Sequence, residues 1–169
     1  MAIRFPMTPA GKERLLQDID RIKRELPLIS IAIGEAAAHG DLKENAEYHA
    51  AREKQGLLMA RLREYESKLA GCEIIDPTKM SGSKVRFGAT VVVLDVDTDE
   101  KHTFRIVGDD EADFSAGLIS YQAPIARGLL GKDEGDEVEI QTGTAKRNFE
   151  IVGVRYEEII LSFRPVPNI

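Results

Sequence analysis

Apolar residues in the first 70 positions recur at alternating steps of three and four, along one segment and then along a second. This spacing keeps all of these residues on one face of a helix and is typical of coiled coils. The face is called the seam below. Its residues are Leu15, Ile19, Ile22, Leu26, Ile29, Ile33 and Ala36 on the first segment, and Tyr48, Ala51, Gln55, Leu58, Leu62, Tyr65 and Leu69 on the second.

The two seams predict an antiparallel helical hairpin. When their residues are paired outward from the segment between them, 36 with 48 and so on to 15 with 69, the two numbers always add up to 84. Two helices that run in opposite directions require such a constant sum, and it places the tip near Leu42. A first helix from about Pro9 to Ala38 is about 40–45 Å long. Thr8 suits its N-cap, and Gly40 suits the residue that follows its end.

Three residues modify this hairpin. Pro27 removes a backbone donor inside the first helix, so we expect a kink or a local break there. Gln55 faces Ile29 and is the polar mismatch of the seam. The second helix is expected to end near Gly71, which follows its last seam residue.

Two carboxylates at the tip, Asp41 and Glu44, allow two interpretations. Their D-x-x-E spacing is that of a capping box at a helix start, and spacing alone favours this role because such motifs are common. In the other interpretation they take part in metal chemistry. Two carboxylates are too few for a complete Mg²⁺ site, which also needs waters and substrate phosphates. The rest of such a site would have to come from another molecule.

The second half of the chain follows a β pattern. Proline, glycine and serine collect at residues 76–83, and the alternation beyond them predicts hairpins from Ala89–Val96 with Lys101–Val107 and from Glu137–Gln141 with Arg147–Arg155. A short helix is predicted at Pro124–Leu130. We therefore predict an α+β protein. It comprises an antiparallel coiled-coil hairpin (1–76), an antiparallel β domain with one short helix (77–156) and a C-terminal tail without a predicted role (157–169).

Charge and composition narrow the possible functions. Residues 77–169 carry 11 basic and 16 acidic side chains, a poor surface for duplex DNA, whereas residues 1–76 carry 12 and 13. Any nucleic-acid contact is therefore expected on the hairpin. A single cysteine, Cys72, cannot form an internal disulfide and suits a small apolar filler, and three scattered histidines do not predict a zinc site. Without a signal peptide or a membrane-spanning stretch, we expect a cytoplasmic protein.

The tip and the second half both resemble a known family. Residues 32–56, and the run from His39 to Glu53 above all, are similar to the coiled-coil tip of the bacterial Gre transcript-cleavage factors, A type. The resemblance continues at residues 108–114 and 119–132 and covers about residues 7–156. It implies an FKBP-like fold for the second domain. It also implies an elongation factor whose arm enters the secondary channel of RNA polymerase.

The resemblance assigns roles to individual residues. Asp41 and Glu44 would be lent to the polymerase active site, where they share its Mg²⁺ and stimulate cleavage of backtracked RNA. Lys43 and Arg52 would contact the nascent RNA 3′ end, and Asn45 and Tyr48 would support the tip. We expect a monomer without a metal or cofactor of its own, which is not itself an enzyme. The residues implied in docking to polymerase are Asp109, Asp110, Glu111, Asp113, Pro124 and Arg127.

The sequence departs from the family pattern at two places. Glu35-Ala36-Ala37-Ala38 lacks the basic residue that often precedes the tip, and Ala123 replaces the serine that often precedes the proline. An alternative function is a non-cleaving plug or adaptor, which needs the shape of the arm but not its acceptors. Asp41 and Glu44 favour cleavage stimulation over this alternative. A free-standing hydrolase is not favoured, because no nucleophile–base pair or metal-ligand cluster is present in the sequence.

Overall fold

The computed structural model describes residues 4–162, which form two compact units. The residues up to Lys12 together with Cys72–Ser162 form one, called the globular unit, and Glu13–Gly71 form the other, called the arm. No helix of this described part is long and apolar enough to cross a membrane. The elements are β1 (Phe5–Met7), α1 (Pro9–Ala37), α2 (Ala46–Gly71), β2 (Cys72–Ile74), β3 (Thr90–Asp95), β4 (Lys101–Val107), β5 (Leu118–Ser120), α3 (Pro124–Leu129), β6 (Glu137–Thr142) and β7 (Ala145–Arg155).

The arm is the predicted antiparallel hairpin of α1 and α2. Every seam position on both helices is buried or half-buried. Two ion pairs flank the seam, with Lys23 Nζ 3.4 Å from Glu66 Oε1 and Lys54 Nζ 2.8 Å from Glu25 Oε1. The two residue numbers add up to more than 84 in the first pair and to less than 84 in the second, as expected for pairs on the two sides of the seam. The predicted register is therefore confirmed. The hydrophobic core of the seam comprises Ile22, Leu26, Ile29, Ile33, Leu58, Leu62 and Tyr65.

Helix α1 passes through Pro27, where a kink or a local break is expected. The helix continues from Pro9 to Ala37 without interruption, so there is no local break, and a kink stays a prediction. Pro27 is exposed and lies off the seam, while Leu26 and Ile29 on either side of it pack in the core of the hairpin. Packing along the seam therefore holds the helix through the residue that lacks a donor.

The globular unit contains a five-stranded sheet in the order β5-β4-β3-β7-β6. Both predicted hairpins are present, with Val91 opposite Phe104 and Val138 opposite Phe149. These four residues belong to one hydrophobic core, and helix α3 packs Ala126 on it. The α+β prediction is confirmed. Strand β5 was not predicted; it pairs in parallel with β4 and is only three residues long, too short to show a period.

The globular unit also includes segments from outside residues 77–156. Strand β1 pairs in parallel with β2, with Phe5 opposite the half-buried Cys72. In the tail, Glu157 accepts from Arg105 at 3.1 Å, and Ile159 is buried with Val107 in a small cluster. Residues 163–169 of the tail lie outside the described residues. Independent folding of 1–76 and 77–156 stays a prediction.

Candidate functional site

The tip of the arm is a turn of eight residues between α1 and α2. Helix α1 ends at Ala37 and α2 begins at Ala46. Gly40 has a φ of +139°, a backbone conformation that residues other than glycine rarely adopt. Asp41 and Glu44 therefore lie in the turn itself, outside both helices.

Asn45 joins the ends of the two helices. Its Nδ2 donates to the carbonyl oxygen of Ala36 at 2.5 Å, and its Oδ1 accepts from the backbone N–H of Tyr48 at 3.1 Å. The Ala36 carbonyl also accepts from the backbone N–H of His39 at 3.1 Å, so Asn45 adds a second donor at the end of α1. It also supplies an acceptor to an otherwise unpaired amide of α2. The capping residue of α2 is Asn45, so the capping-box interpretation of Asp41 and Glu44 is wrong.

The two carboxylates are exposed and make few contacts with the rest of the tip. Asp41 Oδ1 accepts from the backbone N–H of Lys43 at 3.1 Å, which fixes the start of the turn. Glu44 makes no hydrogen bond or ion pair with any residue in the range 4–162. At least three carboxylate oxygens of this pair therefore remain available as acceptors toward another molecule.

An open concavity of about 560 Å³ surrounds these carboxylates. Sequence reasoning did not select His39 and Glu47, although both flank the acidic pair in sequence and line the same space. Three acidic residues therefore line one concavity. No group of three or more ligating side chains in the described chain is arranged to hold a metal ion. The tip can supply ligands but does not form a complete metal site. The concavity is lined by His39, Asp41, Glu44, Asn45, Ala46 and Glu47.

Two cations near the tip are available for contacts. Lys43 and Arg52 are exposed, and neither side chain forms an ion pair with the rest of the described residues. The backbone carbonyl of Lys43 is hydrogen-bonded at 3.2 Å to His49 Nε2, which ties the turn to the first helical turns of α2. Tyr48 is half-buried at its seam position, and its ring meets that of His49 edge to face at 5.6 Å.

Most of the docking candidates lie on the surface of the globular unit. Asp109, Asp110, Asp113, Pro124 and Arg127 are all exposed. Asp109 precedes β5 in the chain and accepts from the Ser120 hydroxyl at the end of that strand, while Pro124 begins α3 just after it. Strand β5 therefore lies beside both the acidic loop and the short helix.

Glu111 is the exception among these candidates. It is only 2% exposed and accepts from the backbone N–H of Thr8 at 2.9 Å and of Gly108 at 2.6 Å. A buried carboxylate with these partners cannot contact a docking partner, so its assignment as a docking residue is wrong. Sequence reasoning missed this role because the contact joins residues about 100 positions apart.

Comparisons with known proteins agree with this architecture. A family model described as "Transcription elongation factor, N-terminal" matches residues 5–74, and one described as "Transcription elongation factor, GreA/GreB, C-term" matches residues 80–156. The transcription elongation factor GreA of Vibrio parahaemolyticus is 55% identical over 154 residues, which cover 90% of this chain and 98% of that protein. The GreA of Francisella tularensis subsp. novicida is 51% identical over 156 residues, 91% of this chain and 98% of that protein.

A solved structure also matches over most of its length. The crystal structure of GreA factor homolog 1 (Gfh1) of Thermus thermophilus is 26% identical and covers 90% of this chain and 99% of that one, with a TM-score of 0.41. Two family models match the two halves of the chain, and the identity to GreA proteins extends over nine-tenths of it. The chain therefore belongs to the GreA/GreB family of bacterial transcription elongation factors and is of the GreA type.

Proposed function

We propose that this elongation factor binds RNA polymerase, inserts its arm into the secondary channel and stimulates the polymerase's own cleavage of backtracked nascent RNA. Arrested complexes are thereby rescued. The factor is not an enzyme in this proposal, because it lends Asp41 and Glu44 to the active site of another protein. Membership in the GreA/GreB family supports the general role.

One observation carries the specific role of the tip. Asn45 caps α2, so Asp41 and Glu44 are exposed carboxylates that no helix needs. Exposed acidic side chains at the end of a two-helix arm about 40 Å long suit delivery of oxygen ligands to a site inside another molecule. A tip with a structural role alone would not need the three carboxylate oxygens that have no partner among the described residues.

The chemistry of the tip fits a shared Mg²⁺ ion. Mg²⁺ prefers one or two carboxylates and completes its shell with waters and substrate phosphates, and the tip offers this number of carboxylates. When bound between the polymerase and the tip, the ion would stabilise the reacting oxygens of a phosphodiester. Asp41, held in the turn by the Lys43 amide, would present a fixed ligand. Glu44 has a longer side chain and would bind the ion directly or orient a water.

Two other sets of residues would hold the complex together. Lys43 and Arg52 would pair with phosphates near the RNA 3′ end, since both are exposed cations without an ion-pair partner in the described chain. On the globular unit, Asp109, Asp110 and Asp113 with Pro124 and Arg127 would meet a basic surface at the rim of the channel. Glu111 takes no part in this docking, because it is buried.

Cleavage of RNA in stalled, backtracked polymerase complexes tests the proposal. The parent factor is expected to shorten the RNA from its 3′ end, and Asp41→Asn and Glu44→Gln are expected to bind polymerase normally but to stimulate at least tenfold less. Glu35→Gln is the matched control, because Glu35 is an exposed acid on α1 close to the tip, and it should behave as the parent.

Two outcomes would count against cleavage stimulation. If the parent binds and inhibits polymerase without shortening the RNA, the factor is a channel plug. If Asp41→Asn and Glu44→Gln both stimulate as well as Glu35→Gln, the carboxylates are not the functional groups.

A further inference from the structure

We propose that Glu111 is a positioning residue that holds the start of α1 and, through this helix, the tip that α1 carries. The inference rests on the proposed function in one respect, which is that the arm must be delivered to polymerase. The segment from Thr8 to Lys12 is called the root of α1 below. Both Glu111 and the root belong to the globular unit.

Both oxygens of the Glu111 carboxylate accept hydrogen bonds within the globular unit. Oε1 accepts from the backbone N–H of Thr8 at 2.9 Å and from the Thr8 hydroxyl, and Oε2 accepts from the Gly108 N–H at 2.6 Å. The hydroxyl oxygen of Thr8 in turn accepts from the N–H of Gly11 at 3.1 Å and caps the helix. One buried carboxylate thus ties the N-cap of α1 to the loop after β4.

The carboxylate also lies at the positive end of the helix dipole. Anions are favoured at this position, and the effect is stronger where water is excluded. Thr8 has no exposed surface, and Glu111 is 2% exposed, so this interaction is poorly screened.

Two glycines leave room for this contact. A Cβ atom at Gly11 would lie 1.9 Å from Glu111 Oε1, and one at Gly108 would lie 2.9 Å from the Pro6 carbonyl oxygen and 3.0 Å from Glu111 Oε2. Gly11 lies inside α1, where glycine is the less favourable choice compared with alanine. The close approach of the carboxylate explains why glycine is nevertheless present there.

The consequence for the tip follows from the continuity of α1. The helix runs unbroken from the root at Pro9 to Ala37, one residue beyond the carbonyl that Asn45 holds. Loss of the Thr8 hydroxyl would loosen the first turn of this helix while leaving in place the tip residues and the bond between Glu111 and Gly108 beside the acidic loop. Polymerase binding should therefore survive, and delivery of the tip should not.

The test measures delivery of the tip without measuring cleavage. A photoreactive group is attached to Leu42→Cys in a Cys72→Ala background, and cross-linking to RNA polymerase is quantified at saturating factor. Glu111→Gln replaces one acceptor oxygen by an NH₂ group that cannot accept. Thr8→Val removes the hydroxyl, and Gly11→Ala fills the space of the carboxylate.

We expect the cross-link yield to fall at least fivefold in Glu111→Gln, Thr8→Val and Gly11→Ala. The Kd for polymerase should stay within threefold of the parent in Thr8→Val, which keeps the bond between Glu111 and Gly108 beside the docking loop. The matched controls are Thr8→Ser, which keeps the hydroxyl, and Gly34→Ala, a helical glycine whose added Cβ meets no atom within 4 Å. Both controls should cross-link as the parent does. Amide hydrogen exchange at Thr8, Gly11 and Gly108 should accelerate at least tenfold in Glu111→Gln.

Two results would overturn the inference. One is parental cross-linking in Glu111→Gln and Gly11→Ala although their Thr8 amide has lost protection; the other is unchanged exchange at Thr8 in Glu111→Gln. Asp41→Asn should cross-link fully whatever its cleavage activity. A failure of the proposed cleavage chemistry is therefore separate from a failure of Glu111, and a parent that does not cross-link at all would overturn both.

Discussion

At the residue scale, Asn45 holds the tip together by a single side chain. One of its hydrogen bonds satisfies an amide of α2 that would otherwise depend on solvent, and the other adds a second donor to the Ala36 carbonyl at the end of α1. Because Asn45 caps α2, Asp41 and Glu44 are not needed as helix caps. Their carboxylates are available for contacts with another molecule.

Asn45→Ala should destabilise the protein by about 1–2 kcal/mol, because it removes the cap of α2 and the bond to Ala36. Asn45→Asp keeps the acceptor for the Tyr48 amide but loses the donor, so its free energy of unfolding should lie between those of Asn45→Ala and the parent. Urea unfolding followed by circular dichroism measures both. An unfolding midpoint for Asn45→Ala equal to that of the parent would mean that the two bonds contribute nothing.

Tyr156 gives a residue-scale prediction about pH. Its hydroxyl donates to the carbonyl oxygen of Lys84 and accepts from the Arg86 N–H at 3.0 Å, and partial burial raises its pKa above the ordinary value of 10.0. The folded state therefore binds this proton more tightly than the unfolded state. The corresponding stabilisation is present below pH 10 and is lost as pH rises through the folded pKa.

Tyr156→Phe should cost about 1 kcal/mol at pH 7, because both hydrogen bonds are lost. The difference in unfolding free energy between parent and variant should shrink above pH 10, since only the parent loses this term. Thermal unfolding at pH 7, 9 and 11 measures the difference. A gap that widens with pH would contradict the assigned direction of the pKa shift.

The tip residues also show which features of the site could be predicted from the sequence alone. Asp41 and Glu44 were identified through the run from His39 to Glu53, yet their local spacing predicted a cap. The D-x-x-E motif and Asn45 are both good helix starts, and local propensity does not choose between them. The choice is made by the contact of Asn45 with Ala36, which belongs to the other helix and leaves no mark in the local spacing.

At the element scale, the seam of the arm was predictable because its period repeats over seven positions on each helix. Of the kink or break expected at Pro27, the break is absent, because packing of Leu26 and Ile29 along the seam holds the helix there. Strand β5 was missed, because three residues cannot display a period. Long repeated patterns were therefore sufficient, and short or tertiary features were not.

Gln55→Leu tests the packing of the seam. Gln55 is half-buried opposite the buried Ile29, so a leucine there should stabilise the arm by about 1 kcal/mol. Gln17→Leu is the matched control on an exposed face of α1 and should change stability by less than about 0.5 kcal/mol. Equal effects of the two changes in urea unfolding would show that position 55 is not part of the seam.

At the scale of the whole molecule, the globular unit extends beyond the segment that matches the family. The C-terminal family model ends at residue 156, whereas Ile159 is 4% exposed and packs with Val107 and Leu118. The sequence offered no role for these residues, because a few apolar positions without a period do not reveal their partner. The structure gives the first part of the tail a packing role.

Ile159→Ala should destabilise the globular unit by about 2 kcal/mol or more, as expected for truncation of a buried isoleucine. Its neighbour Ile160 is 74% exposed, so Ile160→Ala should cost less than about 0.5 kcal/mol. Differential scanning calorimetry compares the two variants with the parent. If both variants unfold at the same temperature as the parent, the tail is not packed on the unit.

In the proposed mechanism, the tip lends carboxylate ligands to a Mg²⁺ ion in the polymerase active site. The most direct measurement is the rate of RNA cleavage in backtracked complexes as Mg²⁺ is varied, with the parent factor and with Asp41→Asn. An amide keeps the size of the side chain and can still serve in a turn, but it is a poor ligand for Mg²⁺. The account predicts a rate for Asp41→Asn about 10²-fold below that of the parent at low Mg²⁺, with the gap narrowing as Mg²⁺ increases. Equal rates for the two proteins at every Mg²⁺ concentration would contradict it.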